Sequence, residues 1–152
     1  MLATIERGGI PEQARITPVI PSETAKRDRE RFINTAIRVL STYPMLTLRD
    51  AYDRGAEIGF WEHAISIPTA GGEEVYPSFQ FEADGDLHWQ VKHASWYVKP
   101  GWRRAEWWTS PNDALDGNTP ASVLRTERQH YELDEAIAAL YPPDWERIVY
   151  EE

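Results

Sequence analysis

Four histidines, His63, His88, His93 and His130, are the side chains of this 152-residue chain best suited to hold a metal or move a proton at neutral pH. Their spacing favours neither role. His88 and His93 stand five residues apart, on different faces of any helix, and no H-E-x-x-H or comparable ligand spacing occurs. Gly71-Gly72 reads as a turn and not as a phosphate cradle, since no Walker loop, G-x-G-x-x-G or G-x-S-x-G is present. Carboxylate pairs such as Glu73-Glu74 and Glu151-Glu152 read as solvated charge, and without a cleft they make no glycosidase pair. With no cysteine there is no disulfide framework, zinc finger or thiol nucleophile. No metal, no cofactor and no catalytic residue is expected, which leaves an enzyme with an unrecognised site as the weakest of the readings.

Tryptophan is the unusual component. Seven indoles exceed what a core of this size needs, because each ring buries on the order of 150–250 Å². Trp107 and Trp108 are adjacent, so on a helix their side chains diverge by about 100° and cannot share one core slot. One is expected in the core and the other at a surface, where tryptophan anchors interfaces; the rival reading buries both under the N-terminal arm and the C-terminal tail. The other chemically distinct group is basic. Lys26, Arg27, Arg29, Arg31, Arg38, Arg49 and Arg54 crowd one stretch, and from Met1 to Arg54 nine Lys/Arg stand against seven Asp/Glu, a balance of +2. From Gly55 to Glu152 seven stand against eighteen, a balance of −11. Lys26, Arg27, Arg31, Arg49 and Arg54 are the candidate contacts to DNA phosphates. The rival reading is a solvated helix on which Asp28 and Glu30 cancel much of the basic field.

Elements must position these groups. Residues 1–21, with Gly8, Gly9, Pro11, Pro18 and Pro21, read as an extended arm. Phe32, Ile33, Ala36, Ile37 and Leu40 mark one face of a helix capped by Ser22 and ended at Tyr43-Pro44. Thr47 and Asp50 have capping-box spacing and open a second helix, with Leu48, Ala51, Tyr52 and Gly55 inward and Gly59 as the stop. Phe60 to Ser66 is too short for a helix before Pro68. Ala64–Ile67 and Glu74–Phe81 predict a hairpin around Gly71-Gly72, with Pro77 confined to an edge or bulge. After an Asp84-Gly85 turn, Leu87, Val91, Ala94 and Val98 predict the next helix. A short helix then carries Trp102, Ala105, Trp107 and Trp108 as far as Ser110-Pro111-Asn112. Leu115-Asp116-Gly117-Asn118 is a turn, and Thr119-Pro120 supplies the cap and first residue of another helix. A last helix over Glu132–Leu140 directs Leu133, Ala136, Ile137 and Leu140 inward, before Pro142-Pro143.

These elements predict a mainly α fold with a small α+β element: a compact helical domain with one short β-hairpin between N-terminal and C-terminal helices. The length fits one domain. An apolar content of 41% excludes a disordered or collagenous chain. No run of about 18 apolar residues occurs, so no membrane partner is expected. Glu6 and Arg7 precede any long apolar run, so no signal peptide is expected either, and the absence of cysteine fits the cytoplasm. A net charge of −9 argues against a chain held to nucleic acid by non-specific contacts along its whole length.

The run Glu106-Trp107-Trp108-Thr109-Ser110-Pro111-Asn112-Asp113-Ala114-Leu115-Asp116-Gly117-Asn118-Thr119-Pro120-Ala121-Ser122-Val123-Leu124 is more specific. It resembles the W-[LW]-x-[ST]-P-N-x-x-L-x-G-x-[TR]-P-x-x-x-L signature of the toxin-binding domain in Xre/MbcA/ParS-type antitoxins. Upstream, Tyr76-Pro77-Ser78-Phe79-Gln80-Phe81 with Asp84-Gly85 is similar to the Y-P-x-[FW]-Q-F-x-x-x-G segment that precedes this domain. Together the two motifs cover about Val75 to Leu140, less than half of the chain. The resemblance implies a mostly helical domain that binds and neutralises a cognate toxin, commonly a RES-type enzyme that consumes NAD. Trp107, Trp108, Pro111, Asn112, Leu115, Asp116, Gly117 and Pro120 are the implied toxin-binding residues. A homodimer and operator DNA are implied as further partners, through an N-terminal helix-turn-helix.

The chain then divides into an arm (1–21), an N-terminal helical region with a degenerate helix-turn-helix (22–74), a toxin-binding-like domain (75–141) and an acidic tail (142–152). In the family such a tail can reach into the toxin's active site. Phe60 to Ser66, where a recognition helix would lie, carries no Arg, Lys, Asn or Gln to read base edges. The leading expectation is an antitoxin of a type II toxin-antitoxin system, and the alternative is an operator-binding transcriptional regulator without a toxin-neutralising role.

Overall fold

Helix α1 (Arg29–Thr42) turns Phe32, Thr35, Ala36 and Val39 inward, against helix α4 (Trp102–Thr109). The computed structural model describes residues 16–22, 24–126 and 129–141. Phe32 meets Trp102 edge-on, with ring centroids 5.7 Å apart and planes at 85°. The buried stripe is rotated from the expected one, because Ile33 and Ile37 lie at the surface, 42% and 59% exposed. Spacing i, i+3, i+4, i+7 from Phe32 selects Thr35, Ala36 and Val39, so a polar threonine sits inside and two isoleucines outside. The helix also starts later than Ser22. Thr24 N donates to the Pro21 carbonyl at 2.9 Å, closing a turn, and Lys26–Asp28 form a 3-10 turn before α1 begins. At its other end Tyr43 is extended, as a residue before proline must be.

Helix α2 (Leu48–Asp53) opens with the expected capping box: Asp50 N donates to Thr47 Oγ1 at 3.0 Å and Thr47 N donates to Asp50 Oδ2 at 3.1 Å. It is shorter than expected. Gly55 has φ +110°, so it ends the helix instead of lining it, and Leu48 is exposed while Ala51 alone of the expected stripe is fully buried. Phe60–Glu62 form a 3-10 turn.

Strands β1 (Met45–Leu46), β2 (Ile67–Pro68) and β3 (Glu74–Pro77) make an antiparallel sheet in the order β1-β3-β2. Its register pairs Leu46 with Tyr76, Met45 with Pro77 and Ile67 with Val75. The β2-β3 hairpin lies around Gly71-Gly72 as predicted, but β2 takes in only Ile67 of the expected Ala64–Ile67, and β1 is an addition. Pro77 is the last residue of the central strand, and Ser78–Gln80 turn into a 3-10 helix where the sequence pattern suggested continued strand. Residues 16–20 of the arm lie along β2: Val19 N donates to the Pro68 carbonyl at 3.0 Å and Ala70 N to the Thr17 carbonyl at 2.8 Å.

The C-terminal half is helical. Helix α3 (Trp89–Ala94) and its flanks bury Leu87, Val91, Ala94 and Val98, the face that periodicity predicted. After α4 come a 3-10 turn (Asp113–Leu115), α5 (Pro120–Thr126) and α6 (His130–Ala138), which buries Leu133, Ala136 and Ile137. Phe32, Ile65, Trp108, Leu115 and Ile137 join one continuous core. The fold is thus mainly α, with six helices and a three-stranded sheet among the described residues. None of these helices is long and apolar enough to cross a membrane.

Candidate functional site

The Trp107–Pro120 run folds as one hydrogen-bonded unit between α4 and α5. Thr109 Oγ1 donates to the Ala105 carbonyl and Ser110 Oγ to the Glu106 carbonyl, each at 2.6 Å, which satisfies acceptors left open where Pro111 stops the helix. Asn112 organises the turn beyond the proline. Its Oδ1 accepts from Ala114 N at 2.9 Å, its carbonyl accepts from Leu115 N and Gly117 N, and its own N–H donates to the Asn118 carbonyl. Asp116 and Gly117 are both left-handed, at φ +57° and +84°. Ser122 N then donates to Thr119 Oγ1 at 3.2 Å, so threonine caps α5 with proline as its first residue. Gln129, the residue before α6, fastens the turn, donating to Asp116 Oδ2 and accepting from Asn118 Nδ2.

The eight residues implicated by the resemblance therefore divide. Trp108, Leu115 and Pro120 are interior and hold the turn against the core. Trp107, which meets Trp108 edge-on at 5.2 Å, and Asn112 are half-buried. Pro111, Asp116 and Gly117 reach the surface, beside Asp113. Because Gly117 needs a positive φ and nothing lies within 4 Å of a Cβ there, Gly117→Val should cost conformational strain alone, about 1–2 kcal/mol in a urea denaturation.

Of the basic candidates, Arg31 is exposed but ion-paired within the chain. Its guanidinium makes a two-point pair with Glu106 (Nε to Oε2 2.9 Å, Nη2 to Oε1 2.5 Å) and a contact to buried Asp28, to which Arg103 also donates at 2.6 Å. Arg31 and Arg103 both lie over the Trp102 ring. This cluster clamps α1 to α4 and engages the Arg31 guanidinium in ion pairs within the chain, although its side chain stays 49% exposed. Lys26, Arg27, Arg49 and Arg54 are exposed, but on different elements: the turn into α1 and the helix α2 with its cap. The segment after α2 supplies a 3-10 turn and then β2, so no second helix stands in recognition position.

A groove of about 850 Å³ opens between the end of α1, the Ser78–Gln80 turn, the start of α3 and the α5–α6 pair. It gathers Tyr43, His88, Trp89, Arg125 and His130, none of which local spacing singled out as a site. His88 and His130 come from elements far apart in sequence, so only the tertiary fold brings them together. Burial pushes the Tyr43 phenol up, against the pull of Arg125, Thr119 and Arg38. Burial likewise holds His88 below its ordinary value, with Glu82 pulling it up and His130 adding to the depression. Among the described residues no group of three or more His, Asp or Glu could hold a metal ion.

No protein-family model, curated protein or solved structure matches this chain.

The His88 shift has a sign that can be tested. Its folded-state pKa lies below the unfolded value of about 6.5, so as pH falls the unfolded chain takes up the proton first. The stability this represents is complete above about pH 6.5 and is lost as pH drops through the lower folded value. Melting temperature should fall more steeply between pH 7.5 and 5 in the parent than in His88→Gln, measured by circular dichroism.

Proposed function

We propose that this chain is a protein-binding antitoxin that holds and neutralises a cognate toxin, an NAD-consuming RES-type enzyme, and performs no catalysis itself. The reading rests on the resemblance of the Glu106–Leu124 run to the toxin-binding signature. The observation that carries it further is the form of that run: a turn locked from inside by Trp108, Leu115 and Asn112, offering Pro111, Asp113 and Asp116 on its outer side. Such a tip is rigid before binding, which lowers the entropic cost of association, and its carboxylates suit a basic surface. The −11 balance of the residues from Gly55 onward points the same way. The implied reach of the 142–152 tail into a toxin lies outside the described residues.

Co-expression with the product of the adjacent gene tests the proposal. The two should co-purify, toxicity should be relieved, and Asp113→Lys should weaken the complex about ten-fold without lowering the melting temperature. If the neighbour's product neither binds nor loses toxicity, the reading fails. The alternative, an operator-binding regulator, draws on the exposed Lys26, Arg27, Arg49 and Arg54. A mobility shift with the chain's own promoter DNA that vanishes steeply with salt would favour it.

A further inference from the structure

We propose that the groove between α1, α3 and the α5–α6 pair is a binding site for a flat ring that carries an anionic group. Two halves of the site support this, one apolar and one polar. Trp89 stands 54% exposed at the mouth, where its own ring stacks on His93 at 29°, and Phe79 and Phe81 line the wall. Tyr43, packed at 4.7 Å on Phe79, lines the same groove and carries a phenol, a donor at neutral pH. Around these rings stand three further groups able to donate to an anion: the Arg125 guanidinium, His88 and His130. Glu82 is the one carboxylate among the described lining residues.

The size agrees with the chemistry. A space of about 850 Å³ lies in the range of small-molecule pockets, roughly 300–1,000 Å³, and far exceeds what a lone inorganic anion fills. A ring laid against Trp89 or Phe81 would bring an attached phosphate or carboxylate among Arg125 and the imidazoles. Arginine suits this task because its planar fork matches either anion. Separate elements supply the groups: the residue that ends α1 is Tyr43, the segment capping α3 gives His88, α5 gives Arg125 and α6 gives His130. The site is a product of the tertiary fold and lies apart from the Trp107–Pro120 turn, although Ser78, Phe79, Phe81 and Leu124 of its lining belong to the two segments that carry the antitoxin resemblance.

Calorimetric titration of the full chain with four probes tests this. Adenosine monophosphate carries a ring with a phosphate, and indole-3-acetate a ring with a carboxylate. Adenosine and inorganic phosphate each offer one half. At least one ring-bearing anion should bind about ten-fold more tightly than either adenosine or inorganic phosphate, and the tighter of the two shows which combination of ring and anion the groove prefers. Arg125→Ala should weaken that binding about ten-fold with an unchanged melting temperature, while Arg49→Ala, on α2, should leave it as it was. Equal affinity for rings, anions and their combination would overturn the proposal. So would absence of binding, or an Arg125→Ala affinity equal to the parent's.

Discussion

Gly85→Ala should destabilise the domain by about 3–5 kcal/mol, read as a fall of roughly 10 °C or more in melting temperature. Gly85 and Gly55 meet backbone to backbone. A Cβ built on Gly85 would stand 2.1 Å from the Arg54 carbonyl oxygen and 2.9 Å from Gly55 Cα, and one on Gly55 would stand 2.6 Å from the Asp84 carbonyl oxygen. No side-chain rotation relieves such contacts, because the obstructing atoms are main chain. Gly85 also sits at φ +97°, which L-residues rarely adopt. Gly72 separates the two costs. It has φ +85° but nothing within 4 Å of a Cβ, so Gly72→Ala should lose only about 1 kcal/mol. If both variants lose the same amount, the close approach of α2 to the Asp84-Gly85 turn is not what makes Gly85 necessary. The effect should also reach the groove, because this turn leads through the Phe81–Leu87 bridge to His88 and Trp89.

The tertiary role of that glycine explains which features were legible in the sequence. Asp84-Gly85 reads as a turn from its residues alone, but its partner Gly55 reads as part of a helical stripe, since nothing local reports a neighbour 30 positions away. The same holds elsewhere. The capping box at Thr47, the Thr119-Pro120 helix start and the Leu87–Val98 face are set by contacts within a few residues, and each is found where spacing put it. The rotation of α1, which leaves Ile33 and Ile37 outside, is decided by the position of α4. Arg104 is the strongest case of the second kind. It is buried, burial holds its pKa down, and it donates to the carbonyls of Glu62, Ala64 and Ser95 without a carboxylate partner among the described residues. A charge in that role resembles any surface arginine until the chain is folded. The turn unit was legible as helix break, glycine turn and restart, whereas the division of its residues into interior and surface was not. The groove was not legible at all, its histidines having no local partner.

Gln80→Met should cost about 3–5 kcal/mol, because the glutamine stands in for a rung that proline deletes. In the β2-β3 ladder Thr69 N donates to the Glu73 carbonyl at 2.9 Å, and alternate pairs after it exchange hydrogen bonds. Continuing the register past Ile67 and Val75 places Ile65 opposite Pro77, which has no N–H to give. Gln80, fully buried, completes the pair with its side chain: Oε1 accepts from Ile65 N at 2.7 Å, and Nε2 donates to the Ile65 carbonyl at 2.8 Å and to the Pro77 carbonyl at 3.0 Å. Methionine keeps the volume and leaves the buried N–H and carbonyl of Ile65 unpaired, at about 1–3 kcal/mol each before relaxation, while the Pro77 carbonyl still heads the Ser78–Gln80 3-10 turn. Gln80→Glu distinguishes lost hydrogen bonds from lost shape. As a carboxylate it accepts from Ile65 N but donates nothing and buries a charge; protonated, it can accept from Ile65 N and donate to one of the two carbonyls. Its folded-state pKa should therefore lie above the unfolded value of about 4.3, so stability is gained as pH falls through the folded value and lost as pH rises through it. Relative to Gln80→Met, Gln80→Glu should melt at a rising temperature as pH is lowered from 7 to 4.5. Parallel pH profiles of the two variants would mean that the amide fills space there and carries no rung of the sheet.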